Sequence, residues 1–125
     1  MATKIMVVDD SMMVRAQVGR ALVQANFEVI EAKDGQEALE KLRQIPGIGL
    51  VVCDVTMPRM SGLELLQELA NDTSVQRVPF VMLTTEGQAE RIQRAKELGA
   101  KAWILKPFKA DLLVAAVQKL AAIAA

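Results

Sequence analysis

The chain has 125 residues, of which 52% are apolar and 24% are charged, so it can bury one core and is too apolar to remain disordered. Its 15 basic and 15 acidic residues cancel, which disfavours nucleic acid and anionic membranes as partners. One cysteine and no histidine exclude an internal disulfide and a Cys/His zinc site. We expect a cytoplasmic protein with no signal peptide and no membrane span.

Short apolar runs alternate with amphipathic runs along the whole chain. This alternation is typical of an α/β protein in which helices cover both faces of a parallel sheet. The predicted strands are residues 4–8, 28–32, 50–54, 79–84 and 102–105. The second strand is the least apolar, which favours an edge position.

The amphipathic runs carry signals for the ends of helices. Pairs with capping-box spacing, or a close variant of it, are Asp34 with Glu37, Ser61 with Glu64 and Thr85 with Gln88. Asn26 and Gly99 suit left-handed helix ends. Residues 46–49, which contain Pro46 and two glycines, are predicted to form a turn before the third strand.

Polar residues stand where the predicted strands end. They are Asp9 and Asp10 after the first strand, Asp54 at the end of the third, Thr84 at the end of the fourth and Lys106 after the fifth. Because right-handed crossovers bring the carboxyl ends of parallel strands to one edge, we expect these side chains to lie together. Three clustered carboxylates need a compensating cation, and Mg²⁺ or Mn²⁺ prefers such oxygen ligands, with a loop carbonyl as a further ligand.

This set of residues suits phosphoryl transfer, in which positioning and charge neutralisation account for most of the catalysis. Asp54 is the expected nucleophile because it ends a central strand and precedes a flexible loop. Asp9 and Asp10 are expected to hold the metal. Lys106 would supply a fixed positive charge and Thr84 a hydroxyl donor.

These residues and their order resemble the receiver domains of bacterial response regulators, most of all the stand-alone chemotaxis type, over nearly the whole chain. The matching residues are the acidic pair Asp9 and Asp10, the acceptor Asp54, the loop Asp54-x-x-Met57-Pro58-x-Met60-x-Gly62, the switch hydroxyl of Thr84 and Lys106-Pro107-Phe108. One such motif would be weak, but four in order at matching spacing are highly specific.

The resemblance implies one receiver domain over residues 1–125. Its fold would be a (βα)5 doubly wound, five-stranded parallel sheet with the flavodoxin-like strand order 2-1-3-4-5. A sensor histidine kinase would donate the phosphoryl group to Asp54. The domain would catalyse its own phosphorylation and dephosphorylation without being an enzyme for outside substrates. Mg²⁺ would be bound by Asp10, Asp54 and the Thr56 carbonyl, and by Asp9 through water.

The resemblance also implies a switch. Lys106 would pair with one phosphoryl oxygen while Thr84 moves to bond another, and the peptide bond between Lys106 and Pro107 would be cis. Trp103 stands where the family usually has a switch Tyr or Phe, and Thr85 stands where small residues are common. An output protein would dock on the fourth helix, the fifth strand and the fifth helix of a monomer.

Three alternatives remain open. Phosphatases of the haloacid-dehalogenase type also use an aspartyl nucleophile with magnesium, but Thr56 stands where their Asp-x-Asp signature needs a second aspartate. A flavin or nucleotide module would need a phosphate loop without two leading aspartates. A receiver-like scaffold that works unphosphorylated would carry the same residues. Cys53, next to Asp54, is expected to be a buried, inert thiol on the opposite face of the strand.

Overall fold

In the computed structural model, strands and helices alternate along the chain as the sequence predicts. The structure describes residues 3–55, 57, 60–72, 74–75, 77–85 and 89–124, without the side chains of the last three. The strands are β1 (Lys4–Val8), β2 (Glu28–Ala32), β3 (Ile48–Asp54), β4 (Phe80–Thr84) and β5 (Ala102–Leu105). The helices are α1 (Met12–Gln24), α2 (Gly35–Gln44), α3 (Gly62–Ala70), α4 (Ala89–Glu97) and α5 (Ala110–Ala124).

The strands form one parallel sheet in the order β2-β1-β3-β4-β5, which confirms the predicted topology and the edge position of β2. Alternate side chains of the central strands enter two apolar clusters. Met6 and Val51 belong to the cluster under α2, α3 and α4. Ile5 and Val52 belong to the cluster under α1 and α5. Helices on both faces therefore bury the sheet, and the carboxyl ends of its strands are the expected place for a ligand.

Two strand boundaries differ from the prediction. β3 begins at Ile48 and not at residue 50, because Ile48 pairs with Lys4 and is buried. The register shifts between Lys4 and Ile5, so Gly49 lies within the strand instead of the predicted turn. β4 begins at Phe80, one residue later than predicted, because Pro79 has no N–H to donate to the sheet.

Two predicted caps are present and place the starts of α2 and α3. The Ser61 side chain accepts a hydrogen bond from the Glu64 N–H, and the Glu64 carboxylate accepts one from the Ser61 N–H, which makes a full capping box. Asp34 accepts from the Glu37 N–H at 2.8 Å. The Glu37 carboxylate bonds the Lys33 N–H at 3.1 Å, so this cap is a variant of the box, as predicted.

Two helices are followed by residues with left-handed backbone, also as predicted. Asn26, after α1, has a φ of 71°, and Gly99, after α4, has a φ of 103°. The predicted cap at Thr85 is not tested, because Gln88 lies outside the described residues. In the part of the chain that the structure describes, no helix combines the length and the apolar character needed to cross a membrane.

Candidate functional site

The carboxyl edge of the sheet brings together the three predicted acidic residues. Asp9 and Asp10 follow β1 and Asp54 ends β3, and each offers a carboxylate oxygen within 4.8 Å of the others. Asp9 and Asp54 are buried, whereas Asp10 is exposed. Buried carboxylates are costly without a compensating cation or hydrogen bonds. The geometry suits a divalent cation that is reached from the solvent side past Asp10.

Asp9 is held from three sides. Its Oδ1 accepts a hydrogen bond from the Ser11 N–H at 2.9 Å, and its Oδ2 accepts one from Lys106 Nζ at 2.8 Å. Its backbone oxygen accepts a hydrogen bond from Arg15 Nη1 at 2.6 Å. Arg15 in turn pairs with Glu31 of β2 at 3.1 Å. The turn that carries Asp9 and Asp10 is therefore fastened to both α1 and β2.

Lys106 bridges two of the carboxylates. Its Nζ lies 2.8 Å from Asp9 Oδ2 and 3.2 Å from Asp54 Oδ2. Partial burial alone would lower the pKa of Lys106, but the hydrogen bond to Asp9 and the charges of Asp54 and Asp9 outweigh burial and raise the pKa above its ordinary value. Lys106 is therefore a permanent cation at neutral pH, placed against the predicted nucleophile.

The ends of β4 and β5 set the position of this lysine. The Lys106 N–H donates to the Thr84 carbonyl oxygen at 2.6 Å, and Thr84 itself is buried. The peptide bond between Lys106 and Pro107 is cis, as the resemblance implied. Thr84 is thus tied through its backbone to the residue that bridges Asp9 and Asp54.

Two glycines fix the chain on either side of the loop after Asp54. The Gly62 N–H donates to the Val55 oxygen at 3.1 Å, and a Cβ on Gly62 would overlap the Asp54 carbonyl. The Gly35 N–H donates to the Met60 oxygen at 3.1 Å. A Cβ on Gly35 would stand 2.5 Å from that oxygen, far inside normal contact distance. Only glycine allows the approach at either position.

Cys53 is buried on the side of the sheet that α2, α3 and α4 cover. Burial, followed by the negative charges of Asp54 and Asp9, raises the pKa of its thiol well above the ordinary value. The thiol therefore stays protonated, which agrees with the predicted inert residue.

Trp103 lies away from the acidic cluster, in the middle of β5 opposite Met82. Its side chain is among the exposed large apolar groups, together with Leu105. Lys96 Nζ of α4 lies 5.3 Å from the centroid of the indole ring, a cation–π contact. The structure thus shows the indole turned outwards, between β5 and α4.

The structure gathers Asp9, Asp10, Asp54, Thr84 and Lys106 at one edge, and Thr56 lies outside the described residues. The sequence analysis did not identify Arg15 or Gly35 as part of the site. Arg15 follows Asp10 by five residues and lies in the first turn of α1. Gly35 occupies the first position of a helix, where glycine is unfavourable unless space requires it. Both signals are weak without the fold.

Comparisons with known proteins agree with this geometry. The family described as "Response regulator receiver domain" matches residues 5–118. "Chemotaxis protein CheY" of Bacillus subtilis is 37% identical over 120 residues, which cover 95% of this chain and 98% of that protein. "Chemotaxis protein CheY1" of Helicobacter pylori is 35% identical over 111 residues, which cover 88% of this chain and 90% of that protein.

Solved structures share the fold. Chemotaxis response regulator CheY4 of Vibrio cholerae has a TM-score of 0.86 at 36% identity, covering 96% of this chain and 99% of that one. A response regulator receiver domain protein from Clostridium thermocellum has a TM-score of 0.88 at 27% identity, covering 98% of this chain and 96% of that one. The chain belongs to the response regulator receiver domain family.

Proposed function

We propose that this chain is a single phospho-accepting receiver domain that takes a phosphoryl group onto Asp54 in a magnesium-dependent reaction and thereby switches the binding of a partner. The observation that carries the proposal is the bridge of Lys106 between Asp9 and Asp54, beside the exposed carboxylate of Asp10. This arrangement supports the proposal because the carboxylates of Asp9, Asp10 and Asp54 lie within 4.8 Å of one another and Lys106 contacts two of them.

Asp9, Asp10 and Asp54 are the residues that would hold Mg²⁺ or Mn²⁺, because receiver domains bind the ion at such an acidic pocket and these oxygens lie within 4.8 Å of one another. The Thr56 carbonyl remains a predicted further ligand. When bound, the ion supplies positive charge that offsets both the carboxylates and the incoming phosphoryl oxygens.

The proposed donor is the phosphohistidine of a sensor histidine kinase. An Asp54 carboxylate oxygen attacks phosphorus, the P–O bond forms as the P–N bond to the donor imidazole breaks, and the imidazole leaves with its electron pair and takes up a proton. Lys106 pairs with a phosphoryl oxygen as charge moves onto Asp54. Oriented charges of this kind account for most of the acceleration in phosphoryl transfer.

The reset we propose is hydrolysis of the aspartyl phosphate within the same site. A water oxygen attacks phosphorus, the bond to the Asp54 oxygen breaks, and inorganic phosphate leaves while the carboxylate is regenerated. Thr85 follows Thr84, and we propose that its bulk narrows the approach of a donor or of water to Asp54. The domain thus acts on itself as a signalling phosphoacceptor and is not an enzyme for outside substrates.

The proposed output surface comprises α4, β5 and α5. Trp103 and Leu105 of β5 expose 40% and 48% of their surface there. Exposed apolar side chains that lie together can mark a protein-binding surface. Movement of Thr84 towards the phosphoryl group, with a change at Trp103, would alter this surface. We propose a monomer in the cytoplasm, and the names of the relatives make a chemotaxis output the first one to test.

The test is the intact mass of the protein after incubation with phosphoramidate and Mg²⁺. Wild type should gain one phosphoryl group, labile to alkali and hydroxylamine, and Asp54→Asn should gain none. Asp111→Asn, which removes an exposed aspartate at the start of α5, is the matched control and should be labelled like wild type. Turnover of a phosphate ester would favour a phosphatase, and no labelling of any variant would favour a scaffold.

A role for Lys106 in transmission can be tested separately. Lys106→Ala should still accept phosphate slowly, because the nucleophile and the acidic ligands remain, but it should fail to transmit the signal. Normal partner binding by the phosphorylated variant would contradict that role.

A further inference from the structure

A second concave surface lies at the edge of the sheet opposite Asp54. It has a volume of about 520 Å³ and forms where β4 and β5 begin, beside the C-terminal ends of α3 and α4. We call it the amino-edge groove. Its apolar lining includes Leu66, Leu69, Phe80, Leu98 and Leu120. A volume of this size, lined mainly by apolar side chains, is typical of sites for small organic ligands.

Small residues keep the groove open. Ala70 ends α3, and Gly99 follows α4 with a φ of 103°. A Cβ built on Gly99 meets no atom within 4 Å, so there is free space at this corner. Leu69 and Leu98, beside these two residues in the chain, are only partly buried. The groove therefore leaves apolar side chains in contact with water that larger neighbours would cover.

Positive charge is the second property of the groove. Arg77 and Lys101 are the charged residues that line it, and both side chains are exposed. Neither makes an ion pair or a side-chain hydrogen bond with any residue that the structure describes. No described carboxylate lines the groove. An occupant with negative charge would therefore find two cations that no acidic group already neutralises.

We propose that the amino-edge groove binds a small amphipathic carboxylate, with its apolar body against the leucines and its carboxylate at Arg77 and Lys101. Apolar surface supplies the driving force, and charge-assisted hydrogen bonds select the anion. The groove lies at the opposite end of the strands from Asp54, so this binding is independent of the proposed phosphoryl chemistry.

The probe for this proposal is decanoate below its micelle concentration, added to ¹⁵N-labelled full-length protein. Backbone amide shifts should saturate and should centre on Phe80, Leu98 and Lys101. Decanol has the same chain without the charge, and decyltrimethylammonium has the opposite charge. Both should bind at least about tenfold more weakly, because a hydrogen bond to a charged group contributes roughly 1.5–3 kcal/mol.

Two variants test the charge and the space separately. Arg77→Glu combined with Lys101→Glu should weaken decanoate binding about tenfold or more, by the same arithmetic. Ala70→Phe keeps both cations but fills the groove, and it should weaken binding to a similar extent. Arg20→Glu reverses an exposed charge on α1, away from the groove, and should leave the affinity unchanged. Thermal melts of every variant establish that the fold is retained.

Several results would overturn the proposal. They are shifts that never saturate, shifts centred on Trp103 and Leu105, equal affinity for the ammonium probe, and wild-type affinity in the Ala70→Phe variant. A leucine-rich acidic peptide provides a further arm. If that peptide saturates the groove while decanoate does not, the site is a protein-docking surface and the small-molecule proposal is wrong.

Discussion

The two ends of the parallel strands, called here the carboxyl edge and the amino edge of the sheet, differ in composition. The buried polar residues of the described chain, Asp9, Asp34, Asp54 and Thr84, all follow or end strands at the carboxyl edge. At the amino edge, apolar side chains and two cations surround a groove. Burying an uncompensated charge costs free energy of folding, whereas an exposed leucine only fails to contribute the free energy that its burial would supply. The acidic cluster at the carboxyl edge does not stabilise the fold by itself, so we attribute it to the proposed phosphoryl chemistry. The predictions below ask how strongly its parts depend on one another.

The largest expected effect is that of Lys106→Met. Lys106 is partly buried, but its removal leaves the buried carboxylates of Asp9 and Asp54 without their cation, so the variant should lose about 3 kcal/mol of unfolding free energy in EDTA. Urea unfolding provides the measurement. Adding Asp9→Asn should restore much of the loss, because the buried charge that Lys106 compensates is then absent.

Arg94→Met is the matched control for that experiment. It breaks the Arg94 pair with Glu97, which is 3.4 Å long with both side chains about half exposed, so it should cost well under about 1 kcal/mol. Equal losses of unfolding free energy in the Lys106 and Arg94 variants would mean that the Lys106 bridge stabilises the fold no more than an exposed ion pair does.

Next in size is Gly35→Ala. Its Cβ would stand 2.5 Å from the Met60 oxygen, so the loop after Asp54 must shift, at a cost of roughly 1–3 kcal/mol. Mg²⁺ binding, measured by titration, should weaken as well, because Met60 belongs to the segment that follows Asp54 in the chain. Gly19→Ala is the control: its Cβ meets Val29 at an ordinary 3.6 Å within α1, so this variant should be stabilised by up to about 1 kcal/mol. Wild-type Mg²⁺ affinity in Gly35→Ala would separate the loop from the metal site.

Much of the fold and of the site follows from the order of residues along the chain. Strand alternation and strand-end acids are local patterns, so the topology and the gathering of Asp9, Asp54 and Lys106 could be predicted. The contact of Gly35 with Met60 and the bond from Arg15 to the Asp9 carbonyl could not. They join residues whose proximity exists only after the helices dock on the sheet.

The start of β3 and the amino-edge groove were missed for related reasons. Gly49 resembles a turn residue, yet the irregular pairing of β1 with β3 draws it into the sheet. The groove depends on the sizes of side chains from several distant elements, which no periodicity in the sequence reveals.

A smaller effect is expected from Asp10→Asn. It removes one of three mutually repelling carboxylates, so its melting temperature in EDTA should exceed that of wild type by a few degrees. Mg²⁺ at roughly ten times its dissociation constant should add about 1.4 kcal/mol to the unfolding free energy of wild type, which raises its melting temperature by several degrees. The increase should be smaller in the variant. Asp111→Asn should keep the wild-type response to Mg²⁺. A metal-insensitive wild type, or an Asp10→Asn variant less stable than wild type in EDTA, would argue against one repulsive cluster.

The smallest expected signal is optical. Trp103 is the single tryptophan and the chain has no tyrosine, so its emission has no background. Beryllium fluoride, a stable phosphoryl mimic, should shift this emission in wild type and less so in Thr84→Ala, because a switch must move an element with two arrangements. Lys96→Met should change the starting spectrum by removing the cation over the ring, while the response to the mimic persists. Identical spectra with and without the mimic would place the output elsewhere.

The central claim is that Asp54 becomes the phosphorylated residue and does so only with a divalent ion. Borohydride converts an aspartyl phosphate into homoserine, so reduction of phosphorylated wild type followed by peptide mass spectrometry identifies the acceptor directly. We predict homoserine at position 54 in Mg²⁺ and at no position in EDTA. Homoserine at Asp9, Asp10 or another aspartate, or equal modification of Asp54 in EDTA, would contradict the account.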